Sequence, residues 1–548
     1  MKQADIILKG NAIFTGLEDR PVSGAIAVSG NKIQKVFQIG ESPDAYVGPD
    51  TKVIDAGDKL IMPGLIDAHT HFFMGATCAS SHCCMEITDS VSETDCVRII
   101  KEYADTHPDE ACVLGMGWLP AFWNDAPLPT KKSLDEAIPD RPVYLAAADV
   151  HTVWTNSKGL EELGIDRNST VSSGEIPKDA DGEPTGLLIE FEACLPAIQK
   201  LYDFPKEVLK EIYSDLLTSI AKNGITAFGE VTPSFLNQTT YNQFDALAEF
   251  ERDGKLTARL HLYSDLLSID SDAAKELKTA NRYHSDKLVY TGLKTLLDGV
   301  TSTYTGFLLE PYADKPDTVG YANAPKADYE KATAIANRAG LPMRCHCIGD
   351  AAVRWGLDIF EHANAETGNP KNTKKIRNTI EHIESIQPED IPRFKELGVI
   401  ASVQPAHLVL DENEKISRIG KARSRWEWPF RTLLDQGAHL AFGTDYPVVG
   451  LNPFKNIYAA VTRCNYDGTP AGVNPEERIS LSEALKRYTA GSAYVFSRES
   501  ELGTLEEGKL ADIIVVNKNL FEIPEIDILK AEVDLTIFDG KEIYKKES

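Results

Sequence analysis

Up to about residue 58 the apolar positions recur at every second residue in short runs, Asp5-Leu8, Ala12-Thr15, Ala25-Ser29, Lys32-Phe37 and Lys52-Asp55, broken by Gly and Asn turns. That period predicts short antiparallel strands. The same rhythm returns from about residue 502, in GTLEEGKLADIIVVN and VDLTIFDGKEIYKKE, so both ends of the chain are expected to build one small β-sandwich. Between them, strand-like runs alternate with amphipathic helical stretches such as Tyr241-Asp253 and Ala351-Ala363, which predicts βα units and a parallel sheet. Eight runs qualify as its strands: Leu60-Ala68, Ile225-Val231, Ala258-Asp265, Gly292-Asp298, Met343-Ile348, Asn378-Ile383, Val399-Gln404 and His439-Thr444. The expected fold class is α/β, a (β/α)₈ TIM-type barrel, in which functional side chains sit at the C-terminal strand ends. The stretch from about Thr77 to Leu201 is too long for one helix. It predicts an inserted α+β subdomain with its own strands, such as Ala111-Met116 and Pro142-Ala147, covering the barrel mouth. The domain plan is thus 1–58 with 502–548 as the sandwich, 59–76 with 202–501 as the barrel, and 77–201 as the insertion.

Composition narrows the function. The 548 residues suit a barrel with accessory domains. No apolar run reaches about 18 residues, and the first residues carry no apolar leader followed by a small-residue cleavage site. The expectation is a soluble, cytoplasmic protein with no membrane partner. A net charge of −26 without any basic cluster argues against nucleic acid. The nine cysteines include no C-x-x-C pair, so no disulfide framework is expected; Cys345 and Cys347 are expected to point away from His346 as small buried residues.

The chemistry starts in Leu60-Phe73, where an apolar run and a Pro-Gly break lead into His69-Thr70-His71. On a strand His69 and His71 project from one face, and two neutral imidazoles at that spacing suit a cation such as zinc. Three more metal-type residues close three other predicted strands: His346 in Arg344-Cys345-His346-Cys347, His382 in Ile380-Glu381-His382-Ile383, and Asp445 in Phe442-Gly443-Thr444-Asp445. Each has an ordinary explanation alone, a satisfied buried histidine or a turn-capping aspartate. Together, at the C-terminal ends of separate strands, they predict a metal site. Lys294 sits in the apolar run Gly292-Gly299, where a lysine is costly unless paired or chemically changed.

These residues amount to a family resemblance. Pro63-Gly64-Leu65-Ile66-Asp67-Ala68-His69-Thr70-His71, Ile348-Gly349-Asp350 after His346, Glu381-His382-Ile383-Glu384 and Gly443-Thr444-Asp445-Tyr446-Pro447 resemble motifs of the amidohydrolase superfamily. The branch they are most similar to is amidohydrolase-3, which includes N-substituted formamide deformylases and YtcJ-like proteins. The resemblance extends nearly end to end, including Asp149-Val150-His151-Thr152-Val153-Trp154-Thr155-Asn156-Ser157. It implies that His69, His71 and Asp445 hold the more buried metal and that His346 and His382 hold a second. It also implies that Lys294 is carboxylated and bridges the two. Zinc is the default cation, as one or two ions. The implied reaction is hydrolysis of an amide-type C–N bond in a small molecule by metal-activated water, with Asp445 as general base and then acid. His151 and Asn156 are candidates for orienting the carbonyl, Asn156 being read first as the cap of a helix over Lys158-Leu163. Trp118, Trp123, Glu190, Gln404, His407, Arg425 and Trp426 are weaker candidates for lining a pocket. Two alternatives stand beside this reading: a metal-dependent hydrolase of esters, lactones or cyclic amides, and a non-catalytic binding protein that keeps the barrel. The full ligand set counts against the second. A homodimer is the base-rate expectation.

Overall fold

A computed structural model describes residues 3–123, 127–148, 150–172, 174–231, 239–368, 376–410, 412–471 and 474–547. The chain divides into two compact units, one of Met1–Thr70, Leu217–Pro233 and Leu247–Ser548, the other of His71–Leu216 and Ser234–Ala246.

In the first unit eight parallel strands form a nearly closed barrel. They are β1 (Leu65–Thr70), β2 (Ile225–Glu230), β3 (Arg259–Asp265), β4 (Leu288–Leu296), β5 (Met343–Cys347), β6 (Thr379–His382), β7 (Ile400–Val403) and β8 (His439–Phe442), paired in that order. A parallel bridge between Thr70 and Tyr446, just past β8, draws the two edges together. β1, β2, β5 and β6 are buried at every residue, as expected of parallel strands covered on both faces. Helices Ala274–Arg282, Lys326–Arg338, Asp350–Thr367, Ile391–Leu397 and Pro453–Thr462 follow β3, β4, β5, β6 and β8. A core of Ile66, Ala68, Ala227, Tyr263, Ile400 and Ala441 joins the strands to Ala493, Val495 and Phe496.

Both chain termini meet in one mixed sheet of this unit, in the order Lys541–Lys545, Val533–Phe538, Ile513–Val516, Leu60–Pro63, Ile6–Ile13, Val22–Ser29 and Lys32–Phe37, with Lys52–Asp55 beside Ile6–Ile13. Leu60–Pro63 corrects the expected first barrel strand, because these residues pair with Ile513–Val516 and Ile13. The strand ends at Gly64, where a Cβ would meet the Thr226 side chain at 2.3 Å, and the chain crosses into the barrel there. A buried ion cluster fastens sheet to barrel: Arg259, the first residue of β3, reaches Asp512 and Asp539, each at 3.1 Å.

The second unit carries its own four-stranded sheet, ordered Leu187–Ile189, Thr152–Thr155, Val143–Ala147, Val113–Trp118, over a core that includes Ile100, Leu134, Trp118, Trp123 and Trp154. It is wider than the expected 77–201, taking in His71–Leu216 as well as Ser234–Ala246. Among the described residues no helix is long and apolar enough to cross a membrane.

Candidate metal centre

Three donors from three barrel strands converge. His69 Nε2 lies 3.2 Å from Asp445 Oδ1, and His382 Nδ1 lies 3.9 Å from Asp445 Oδ2. The ligand atoms of His69, His382 and Asp445 all fall within 4.8 Å of one another, and all three residues are buried. Local backbone explains the convergence. Alternation would send Glu381 and His382 to opposite faces of β6, but His382 has φ 72° and Ile383 φ 54°, so the strand turns at its end. Asp445 also lies in the left-handed region, φ 60°, and its N–H donates to the His69 carbonyl at 2.8 Å. Non-glycine residues held there cost about 1–3 kcal/mol each and persist where surrounding structure enforces them.

A layer of charge holds the donors. His69 Nδ1–H donates to Glu381 Oε2 at 2.7 Å, and the other Glu381 oxygen takes the Arg344 guanidinium. Burial pushes the Glu381 carboxyl up, but Arg344 and His69 outweigh it and hold the group well below the usual range. Burial, reinforced by Lys294, pulls the His69 imidazole down, so it stays neutral. With its Nδ1 proton on Glu381, His69 turns the Nε2 lone pair toward a carboxylate oxygen 3.2 Å away. Two acceptors so placed repel unless a cation lies between them. Burial, and then His346, likewise keep His382 neutral, and its Nδ1 has no hydrogen-bond partner among the described residues. Two neutral imidazoles and a carboxylate are a donor set suited to a divalent cation, zinc above all. Asp67 ties β1 to the segment after β8, accepting from the His69 N–H at 3.1 Å, the Thr444 N–H at 3.0 Å and the Thr444 hydroxyl at 2.6 Å; burial lifts its carboxyl to about 6.

His346 stands beside this group, its ring 4.4 Å from that of His382, with Nε2 3.3 Å from the Gly299 carbonyl and 3.8 Å from Asp298. Lys294, near the end of β4, is 1% exposed; burial lowers its pKa, opposed first by Glu381. His71 lies one residue past β1, at the start of helix Phe72–Cys78, and belongs to the second unit. In that unit His151 donates from Nδ1 to Glu190 at 2.8 Å, while Asp149 of the same motif lies outside the described residues.

Two of the residues considered as substrate contacts have internal partners in the second unit. Asn156 is a cap: its carbonyl oxygen accepts from Gly159 and Val143, and its amide donates to Ile138 and Arg141, which uses the whole group internally. Trp118 is a core residue, 1% exposed, stacked with Trp123 and donating its indole N–H to the Leu145 carbonyl at 2.8 Å. Gln404, past the end of β7, is buried with neither amide atom hydrogen-bonded among the described residues. Glu381, Arg344 and Asp67 were not singled out as site residues from sequence. Their one signal is an ionisable side chain inside a wholly buried strand.

A sequence profile described as "Amidohydrolase family" matches residues 52–544. The chain is 28% identical to Protein LONG AFTER FAR-RED 3 of Arabidopsis thaliana, over 99% of this chain and 92% of that one. It is 26% identical to the putative amidohydrolase YtcJ of Bacillus subtilis (98% and 99% covered) and 25% identical to the N-substituted formamide deformylase of Arthrobacter pascens (95% and 95%). Among solved structures, an uncharacterized metal-dependent hydrolase from Pyrococcus horikoshii superposes with TM-score 0.74 at 24% identity, covering 95% of this chain and 99% of that one. One from Pyrococcus furiosus gives TM-score 0.70 at 26% identity, covering 93% and 98%. With the buried imidazole–carboxylate cluster at the barrel strand ends, these matches identify the chain as a metal-dependent hydrolase that belongs to the amidohydrolase family.

Proposed function

We propose that this protein hydrolyses a non-peptide C–N bond of amide or formamide type in a small molecule. The observation that carries this reading is the pair of acceptors, His69 Nε2 and Asp445 Oδ1, facing each other at 3.2 Å in a buried site. The likeness to a formamide deformylase along nearly the whole chain supports the bond type. His69, His382 and Asp445 would hold the cation, zinc by donor preference, with His346 and the motif partner His71 as the further ligands of a one- or two-ion site. A neutral amine is the form of lysine that reacts with carbon dioxide, so the lowered pKa of Lys294 supports its carboxylation.

When bound, the cation acidifies water and polarises the scissile carbonyl. The protein's own residues supply the rest. Asp445 receives the proton from the attacking water and returns it to the departing nitrogen, which is a poor leaving group unless protonated. Glu381 fixes the tautomer of His69, and Arg344 keeps Glu381 ionised so that it goes on accepting. In the second unit, Glu190 holds His151 in the tautomer with the proton on Nδ1.

Elemental analysis of the purified protein, followed by assays on N-substituted formamides, acyl amides and esters, tests this. The expected result is bound divalent metal, formamide or amide turnover, and an intact mass raised by one carbon dioxide on Lys294. Turnover of esters alone would move the assignment to the ester and lactone class. Failure to take up metal after reconstitution would remove the reading altogether.

A further inference from the structure

Beyond the donors, a second buried chain of polar groups ends on Asp445. His407 opens the short helix His407–Leu410 just after β7. Its Nε2 lies 3.5 Å from Asp445 Oδ2 and its Nδ1 3.5 Å from Glu384 Oε1. Its ring lies nearly parallel to that of His382, 5.9 Å away at 22°. The other Glu384 oxygen is ion-paired to Lys415, whose ammonium sits 4.0 Å over the Trp428 ring. Trp428, at φ 45°, returns its N–H to the Glu384 carbonyl at 3.1 Å. His407, Glu384 and Lys415 are 8%, 5% and 3% exposed.

We infer that His407 is a positioning residue for Asp445, its ring packed against the outer oxygen from a rigid base of Glu384, Lys415 and Trp428. The inference rests on the reading that Asp445 carries the proton. The Asp445 backbone is pinned by its N–H to His69, so rotation of the carboxylate is its remaining freedom. Oδ1 faces His69 and Oδ2 faces His407 and His382. A carboxylate that must serve a cation and a proton at once needs that rotation fixed, and a buried ring packed 3.5 Å from one oxygen, without hydrogen-bonding to it, restricts the turn by contact. A buried ion pair is a poor way to gain stability, since apolar side chains of the same shape are often as good or better. Its position behind His407 is accounted for by what it holds.

The experiment uses full-length protein loaded with Co²⁺, with His407→Ala, His407→Gln and Glu384→Gln beside the wild type. We expect His407→Ala to keep metal stoichiometry and KM, lower kcat roughly 10–100-fold, and shift the visible Co²⁺ spectrum. His407→Gln, which keeps a polar side chain filling much of the same space, recovers most of both. Glu384→Gln falls between, and adds nothing when combined with His407→Ala. An unchanged spectrum and kcat in His407→Ala, a loss that merely follows metal content, or a Gln variant no better than Ala overturns the inference. A spectral shift in a wild-type background that hydrolyses no C–N substrate would instead leave the positioning intact and remove the reaction assigned above.

Discussion

The two ends of the barrel bury charge in opposite ways. At the N-terminal end of β3, Arg259 meets Asp512 and Asp539 at hydrogen-bond distance and lies 4.9 Å over the Phe538 ring, so each charge faces its opposite. The left-handed residues there, Asp539 at φ 53° and Gly540 at φ 74°, form the two-residue turn between Val533–Phe538 and Lys541–Lys545, where an Asp-Gly pair is at ease. At the C-terminal ends of β1, β6 and β8, by contrast, two imidazoles kept neutral by burial converge on a carboxylate. The left-handed residues there are His382, Ile383 and Asp445; His and Asp enter that region more readily than most residues, and β-branched Ile383 is the outlier. Buried charge alone therefore does not mark a working site. Convergence of ligand atoms beside the strained turn at Ile383 is what sets the candidate centre apart.

The largest test of this contrast is Asp445→Asn, which should lower kcat by about 10²–10⁴-fold while the circular dichroism stays native. Retention of turnover would erase the distinction between the two ends. Next, Arg259→Ala leaves Asp512 facing an empty space and should cost about 3–5 kcal/mol of stability, measured by denaturant unfolding. The kcat per folded molecule should be unchanged, and a parallel fall in kcat would show that the lower end also serves the chemistry. A smaller effect is expected for Glu381→Gln, which withdraws the acceptor from His69. Its metal affinity, measured by competition with a chelator, should weaken roughly 10–100-fold, and equal affinity would mean the His69 tautomer needs no such partner.

The smallest effect concerns pH. Burial pushes the Asp539 carboxyl up, but Lys287 and Arg259 outweigh it and bring it from 3.8 to about 2. A carboxyl held below its unfolded value adds stability above that value and loses it as pH falls through the folded one. The difference in thermal midpoint between wild type and Asp539→Asn should thus be full at neutral pH and close between about pH 4 and about pH 2. A gap that persists below that window would assign the loss to packing instead.

Much of the architecture was legible from apolar periodicity. All eight expected barrel runs overlap observed strands, because a strand buried on both faces must be apolar along its length. The error at Leu60–Pro63 has the same origin: that run is equally apolar, and only pairing with Ile513–Val516 assigns it to the terminal sheet. His69, His382 and Asp445 stood out because ionisable residues are conspicuous at the ends of such runs. Glu381 and Arg344 did not, since their value lies in reaching His69 from other strands. Asn156 and Trp118 were candidates by their place on the insertion, and the fold of the second unit gives both internal partners.

Residue types and their period, which depend on local burial, were enough to determine the barrel and the kind of chemistry it carries. Which nitrogen faces which oxygen was decided only by tertiary structure. Closure of the barrel at Thr70 and Tyr446, together with the left-handed turns at His382 and Asp445, sets those directions; the closure and the Asp445 N–H to the His69 carbonyl join residues hundreds of positions apart.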